Sequence, residues 1–515
     1  MEKDGITATR TRTNSVSNKP QDDDALRLAQ MGHQQELERS YSLFALGALC
    51  VCLMATWEAL STVIATALIS GGAPCLFYNL LLSTFSTICI ASSLGEIASI
   101  YPTAGVLSPL SIRSPLAYMT GWISIGGQTV LTSSAAFAAG LQTQSLIIVN
   151  DESYIPQRWQ GMLFYWAILT YALVMNIWGH RLLPTTNTIS GILHVAGFIS
   201  ILIVLGVMAP KNSASFVFTE FTNSSGWSSD GVSWLVGLLS AVYPYLGYDA
   251  ACHLAEEMPN ASRNVPLAMV GSVSVNGLMG LIYAVVLLFS TGPLESLLQT
   301  PTGFPFMQIF LDVTKSRAGA TVMSVVIISI AIAASVAGVT STSRTLWAFA
   351  RDKSTPFDRH LSKVNKSLQI PVHAVVLVTV LQMLLGFIYL GNTTAFNAIL
   401  SMAIIGMYSS YALPIIQMLW ARGRIIRSDD YGPFKLGPIL GPVANVISLI
   451  WITVVIVFSV FPTSMPVSSP TMNYSVVVMS GWVLFGIVYY LLYGRHKFEL
   501  AAITDVLDGV PGSRA

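Results

Sequence analysis

Twelve runs of apolar residues, each about twenty or more long, recur along this 515-residue chain and leave little else to build with. They cover about 44–70, 75–98, 116–148, 161–179, 186–209, 232–254, 267–290, 318–349, 371–390, 396–420, 440–461 and 474–493. A bilayer core about 30 Å thick takes roughly 20 apolar residues per helix, and lipid offers backbone groups no partner, so each run predicts a spanning α-helix. Composition agrees: 53% of residues are hydrophobic and only 10% charged, against about 25% charged in a soluble chain. The expected fold is an all-α polytopic membrane protein with 12 transmembrane helices. The third and eighth runs are long enough to tilt strongly or project beyond the bilayer.

Orientation follows from Lys and Arg. With a cytoplasmic N-terminus, 22 of the 26 basic residues fall in inner segments, and only Arg158, Lys211, Lys315 and Arg317 lie in outer loops. That split is what the positive-inside rule requires of an even number of spans with both termini cytoplasmic. Residues 1–43 are polar, carry the run Asp22-Asp23-Asp24 and predict a disordered tail; 494–515 form a second cytoplasmic tail. The near-neutral net charge of +1 gives no footprint for nucleic acid. Cys50, Cys52, Cys75, Cys89 and Cys252 lie in or beside apolar runs without metal-like spacing, so no metal site or disulfide framework is expected. The sequons at Asn223, Asn392 and Asn473 would face outward, and Asn223 has the roomiest loop for a glycan.

Three acids remain within or at the ends of the runs: Glu58, Glu96 and Asp249. A charge at a helix centre costs about 2.5–3.5 kcal/mol even on the lenient insertion scale, so such groups usually face a cavity, a partner or a proton path. Asp249 ends Tyr243-Pro244-Tyr245-Leu246-Gly247-Tyr248-Asp249, where proline and glycine together predict a break at mid-membrane. Broken backbone at that depth is tolerated around a cavity, although a proline kink packed in protein would read the same way. Glu58 lies mid-run in Met54-Ala55-Thr56-Trp57-Glu58-Ala59-Leu60, with no local glycine or proline to break the helix. Central acids in runs one and six, and long runs three and eight, suggest two five-helix repeats, 44–209 and 232–420, followed by peripheral helices over 440–493. Aromatic residues beside both carboxylates would suit an ammonium group, or would simply pack between helices. His194 sits mid-run as a candidate proton carrier or a packing histidine, and the hydroxyls of Thr340-Ser341-Thr342-Ser343 could line a cation site or bond their own helix.

Several stretches resemble fungal amino acid/choline permeases of the amino acid–polyamine–organocation superfamily. They are Ser93-Leu94-Gly95-Glu96-Ile97-Ala98-Ser99 with Tyr101-Pro102-Thr103-Ala104-Gly105, and Gly121-Trp122 through Gly140. Further along come Gly247-Tyr248-Asp249 with His253-Leu254-Ala255-Glu256-Glu257 and Pro266, then Ser343-Arg344 with Ala348-Phe349-Ala350-Arg351-Asp352. The resemblance runs from about residue 40 to 495. It implies a leucine-transporter-type fold with a 5+5 inverted repeat plus two peripheral helices. It also implies proton-driven uptake, with sodium the second choice, at a plasma membrane or else a vacuolar or other endomembrane. Carried over, Ala55, Thr56, Trp57 and Glu58, with Tyr245, Gly247, Tyr248 and Asp249, match the substrate-contacting unwound segments. Glu58, His194 and Asp249 are the candidates for proton coupling, and Glu96, Arg344, Arg351 and Asp352 match gating or structural motifs. Many relatives carry glycines at the break of the first helix, whereas this chain has none between Gly47 and Gly71.

The expected function is secondary active transport of a small amine-bearing solute, such as an amino acid, choline or 4-aminobutyrate, by alternating access and without a cofactor. Export of a specialised metabolite and a non-transporting receptor of the same fold are the alternatives. A membrane enzyme is disfavoured: there is no H-E-x-x-H, G-x-S-x-G or Walker motif, and the soluble segments are short.

Overall fold

The computed structural model describes residue 37 and residues 39–102, 114–391, 395–427, 430–468 and 472–498. Most of both tails, Thr103 to Gly105 and the Asn392 sequon lie outside the described residues. The described chain is almost wholly helical, its only bridges being the isolated contacts Asn365–Ile370 and Arg422–Ile426. The principal helices are α1 (Leu43–Met54), α2 (Thr56–Ile100), α3 (Ser114–Asn150), α4 (Arg158–Ile177) and α5 (Leu183–Met208). Three short pieces follow, α6 (Asp230–Val236), α7 (Leu238–Val242) and α8 (Ala250–His253). Then come α9 (Ala261–Phe289), α10 (Pro305–Thr314), α11 (Arg317–Arg351), α12 (Val372–Leu385), α13 (Ala395–Ala421), α14 (Gly437–Ser459) and α15 (Ser475–Tyr489).

Among the described residues, nine helices are long and apolar enough to cross a membrane. The first of these units, Leu43–Ile100, spans both of the first two apolar runs. They are separated at Gly72, whose φ of 73° is open to glycine and strained for other residues. The sixth run is cut into α6, α7 and α8, each too short to count. α3 is a 37-residue helix rich in Ser, Thr and Gln, which lowers its hydropathy without shortening it.

α3 is the central post: it packs along α11 on one side and α13 on another, while α2 packs along α9. Contact with α13 is closest where Gly127 meets Gly406; a Cβ on Gly127 would lie 2.7 Å from the Gly406 carbonyl carbon. Small residues of this kind let membrane helices approach closely enough for dispersion to hold them. α15 docks on α3 little more than a turn away through a reciprocal pair of bonds. The Trp122 indole donates to the Trp482 carbonyl and Trp482 to the Trp122 carbonyl, both at 2.8 Å, with the rings stacked 4.6 Å apart. The large apolar side chains left exposed lie mainly on α4, α5, α9, α14 and α15, the outward faces that lipid would cover.

Candidate functional site

The first apolar run is interrupted despite lacking any local breaker. α1 ends where Ala55 adopts φ 44°, ψ 50°, and α2 starts at the next residue. A left-handed conformation costs an L-residue roughly 1–2 kcal/mol, so something outside the run must hold it. Three long-range bonds do so. Thr56 Oγ1 donates to the Pro244 carbonyl at 2.8 Å, Asn276 Nδ2 donates to the Val51 carbonyl at 3.1 Å, and Cys50 Sγ donates to the Tyr248 carbonyl at 3.6 Å. Two of these acceptors are carbonyls in the second break, where Tyr243–Tyr245 forms a 3-10 turn, Leu246 is extended and Gly247 has φ 108°. A Cβ at Gly247 would stand 2.9 Å from Leu53 Cγ, so a bare glycine is required beside α1. The two breaks thus hold each other open. We expect Ala55→Gly to raise the thermal stability of the purified protein by about 1 kcal/mol, the strain relieved less the added backbone freedom. An unchanged or lowered unfolding midpoint would show that Ala55 is not strained.

Between the breaks lies a small cavity of about 40 Å³ lined by Leu53, Met54, Ala55, Glu58, Ala59, Thr62, Tyr243 and Leu246, with Leu131, Ala135 and Ala138 from α3 and Ile327, Ala331 and Ala334 from α11. Its one charged lining residue is Glu58, 2% exposed. Glu58 Oε1 lies 2.8 Å from Nδ1 of the fully buried His194 on α5, while Oε2 has no hydrogen-bond partner among the described residues. A larger vestibule of about 440 Å³, lined in part by Gln144, Thr302, Tyr389, Asn397 and Ser464, meets the cavity at Thr62, which lines both.

The residues expected to touch a solute separate into three groups. Ala55 and Glu58 line the cavity. Thr56 and Gly247 shape the breaks. Trp57 points behind Glu58, packing on His194 (5.9 Å between centroids) and Tyr283 (5.2 Å). Tyr245 is turned away onto Thr84, with 2.6 Å between hydroxyl oxygens, and Tyr248 is buried against Tyr411. Asp249 opens into a separate small pocket with Thr120, Ser124, His253, Thr345, Ser410 and Tyr411. In this conformation, then, Ala55 and Glu58 line the cavity, whereas Trp57, Tyr245, Tyr248 and Asp249 do not. The tyrosine that does face the cavity is Tyr243, its hydroxyl 2.7 Å from that of Ser134. Missed altogether were Ala135 with Ala138 and Ala331 with Ala334, although three-residue spacing of small residues in the long third and eighth runs was a visible signal.

One end of the bundle is shut by ion pairs. Arg344 Nε donates to Glu257 Oε1 at 2.8 Å, Arg351 forks onto both oxygens of Glu256 at 2.9 and 3.0 Å, and the Tyr41 amide donates to the Glu257 carbonyl at 3.2 Å. Asp352, just past α11, retains some exposure yet is enclosed by protein; desolvation pushes its carboxyl up to about 7 despite the pull of Arg351, with Glu256 adding to the rise. Arg422 pairs with Glu96, which also accepts from the Leu436 amide at 2.8 Å, and so pins the loop after α13 to the end of α2. Thr340 bonds Asn176 at 2.8 Å, and the neighbouring hydroxyls likewise make helix contacts. Asn223 is less open than its loop suggested: its amide nitrogen donates to the Trp227 carbonyl at 2.9 Å and Asp230 Oδ1 at 3.0 Å, bonds a glycan would disturb. Asn473 is similarly tied to the Ser459 carbonyl at 2.9 Å.

A family model described as amino acid permease matches residues 41–482. A choline transporter of Saccharomyces cerevisiae is 29% identical over 495 residues, covering 93% of this chain and 87% of its own. An uncharacterized amino-acid permease of Schizosaccharomyces pombe is 32% identical over 488 residues, with 92% and 89% covered. An amino-acid permease of Arabidopsis thaliana is 29% identical over 510 residues, with 95% and 98% covered.

Proposed function

We propose, from the premise that this chain belongs to the amino acid permease family, that it is a proton-coupled secondary transporter of a small amine-bearing cation, with choline as the leading candidate. The observation that carries this reading is the cavity at the two helix breaks. A single carboxylate, Glu58, lies among alanines and aliphatic side chains with one oxygen unpartnered, and no Lys or Arg lines the wall. Such a site compensates a cation and accommodates its alkyl groups, with Tyr243 offering an aromatic face. The choline-transporting relative is consistent with it. An amino acid is the second reading. Its carboxylate would have to sit on the amide groups that begin α2, beside the like charge of Glu58, where the helix dipole favours an anion.

The proposed architecture is twelve spans in two inverted five-helix repeats plus two peripheral helices, with cytoplasmic termini and a plasma-membrane location. Three observations support it: the bias of basic residues, the paired breaks, and ion pairs closing the end that the charge count makes cytoplasmic. The wide vestibule then faces outward. A cation would enter through it, reach Glu58, and be released inward once the Arg344–Glu257 and Arg351–Glu256 pairs part.

Uptake of labelled choline, amino acids, 4-aminobutyrate and polyamines in a host lacking its own permeases tests the assignment. Saturable choline uptake, blocked by other amine cations more than by zwitterions, is expected; uptake of zwitterions alone would favour the second reading. If protons drive it, uptake should fall when external pH is raised or a protonophore is added. Indifference to both would remove the proton from the mechanism.

A further inference from the structure

The pocket around Asp249 shares no lining residue with the solute cavity, yet it holds a second acid–histidine pair. His253 Nε2 lies 3.2 Å from Asp249 Oδ2 and 2.9 Å from Gln128 Nε2 on α3. Tyr411 of α13 donates to Asp249 Oδ1 at 2.7 Å. Gln128 Nε2 also donates to Ser124 at 2.9 Å, while Gln128 Oε1 accepts from Thr345 at 3.0 Å and Ser341 at 3.4 Å, both on α11. His253 Nδ1 is buried without a partner among the described residues. Asp249 and His253 are 3% and 4% exposed.

We infer that Asp249 and His253 form a proton-binding station distinct from the solute cavity, whose loading is read by Gln128 and latches the inner half of the broken sixth segment onto α3, α11 and α13. It rests on the proton-coupled reading above. An amide nitrogen only donates, so with Gln128 placed as it is, His253 Nε2 accepts. Its single lone pair is shared: Asp249 Oδ2, 3.2 Å away, joins the shorter Gln128 bond only as a protonated carboxyl, and His253 then bears its own proton on Nδ1. This arrangement holds two protons and is neutral. The alternative turns the Gln128 amide over: His253 Nε2–H donates to both Gln128 Oε1 and an ionised Asp249, and Nδ1 is bare. It holds one proton and a net negative charge, so one proton leaves in passing from the first to the second. Turning the amide also reverses its bonds to Ser341 and Thr345, and Thr345 adjoins Arg344, which closes on Glu257. Proton loss is thereby felt at the ion pair that shuts that end.

Little else near the pair can balance the charge. α3 carries no charged residue between Ser114 and Asn150, and α13 none between Ala395 and Ala421, facing the pair with Tyr408 and Tyr411. α1 contributes Cys50, the segment itself Tyr248 and Cys252, and α9 only Met269 against Cys252. From α11 come Ser341 and Thr345, Arg344 being spent on Glu257. Ionised Asp249 is thus a buried charge held by neutral donors, and opening toward water becomes easier once the proton is gone.

Hydrogen–deuterium exchange of the full chain in lipid nanodiscs tests this, following amides 248–257. Corrected for intrinsic rates, exchange should rise about tenfold between about pH 4 and about pH 8, a span wide enough to cover ordinary carboxyl and imidazole values. Asp249→Asn keeps both bonds in the loaded pattern and should exchange slowly at both values; Glu58→Gln should keep the wild-type response. A flat wild-type profile, a wild-type response in Asp249→Asn, or its loss in Glu58→Gln would each overturn the station. In proteoliposomes at zero membrane potential, Asp249→Asn should retain choline exchange but lose accumulation driven by a pH gradient; retained accumulation would also overturn it. If the wild type carries no choline while the exchange response is present, the solute assignment fails and the station stands.

Discussion

Glu58→Gln should lower kcat/KM for choline uptake by about thirty-fold to a few thousand-fold, with surface expression unchanged. The estimate follows from the 2–5 kcal/mol typically lost when one partner of a buried charge pair is removed. Glutamine has nearly the same shape, so the cavity survives; what disappears is the negative charge facing the solute. An uncharged solute analogue, if carried, should be much less affected. His194→Gln keeps a donor for Glu58 and should lower uptake far less than Glu58→Gln does. Near-wild-type choline affinity in Glu58→Gln would remove Glu58 from cation binding.

Arg344→Met should weaken the closed end by about 3–5 kcal/mol, because Glu257 is left buried without its counter-ion. With native cysteines replaced and a cysteine introduced at Ser410, which lines the pocket nearest that end, an impermeant maleimide added from that side should label it at least about tenfold faster. Combining Arg344→Met with Glu257→Leu should restore much of the protection, since removing both charges costs far less than removing one. Equal labelling in all three backgrounds would mean that the pair does not close that end. Asp352 adds a pH dependence of known sign. Its carboxyl is raised to about 7 from an ordinary value of 3.8. Stability from the neutral form is therefore fully present at low pH and lost as pH rises through that interval, so the closed end should be labelled faster at neutral than at acidic pH.

Particular residues show how far the sequence could be read. The break at Pro244 and Gly247 was legible because proline removes a donor and glycine alone tolerates φ 108°. The break at Ala55 was not, because its causes are Thr56 reaching Pro244 and Asn276 reaching Val51, partners 188 and 225 residues away. His194 was visible as an isolated mid-run histidine, but its bond to Glu58 spans 136 residues and had no local sign. Glu58 and Asp249 looked equivalent along the chain, each an acid in a long apolar run. Packing gave them different pockets, because after the break the segment carrying Asp249 turns toward α13 rather than the cavity.

By itself the sequence determined that this is an all-helical, multi-span membrane protein, and gave the short list of charges within its apolar runs. Each of these follows from the cost of placing a residue type in lipid, which needs no knowledge of neighbours. Only the tertiary structure decided which helices break and which carboxylate faces the cavity. It also paired Glu58 with His194. Those outcomes depend on bonds between residues far apart in sequence, and a buried polar group takes its meaning from the partner that satisfies it.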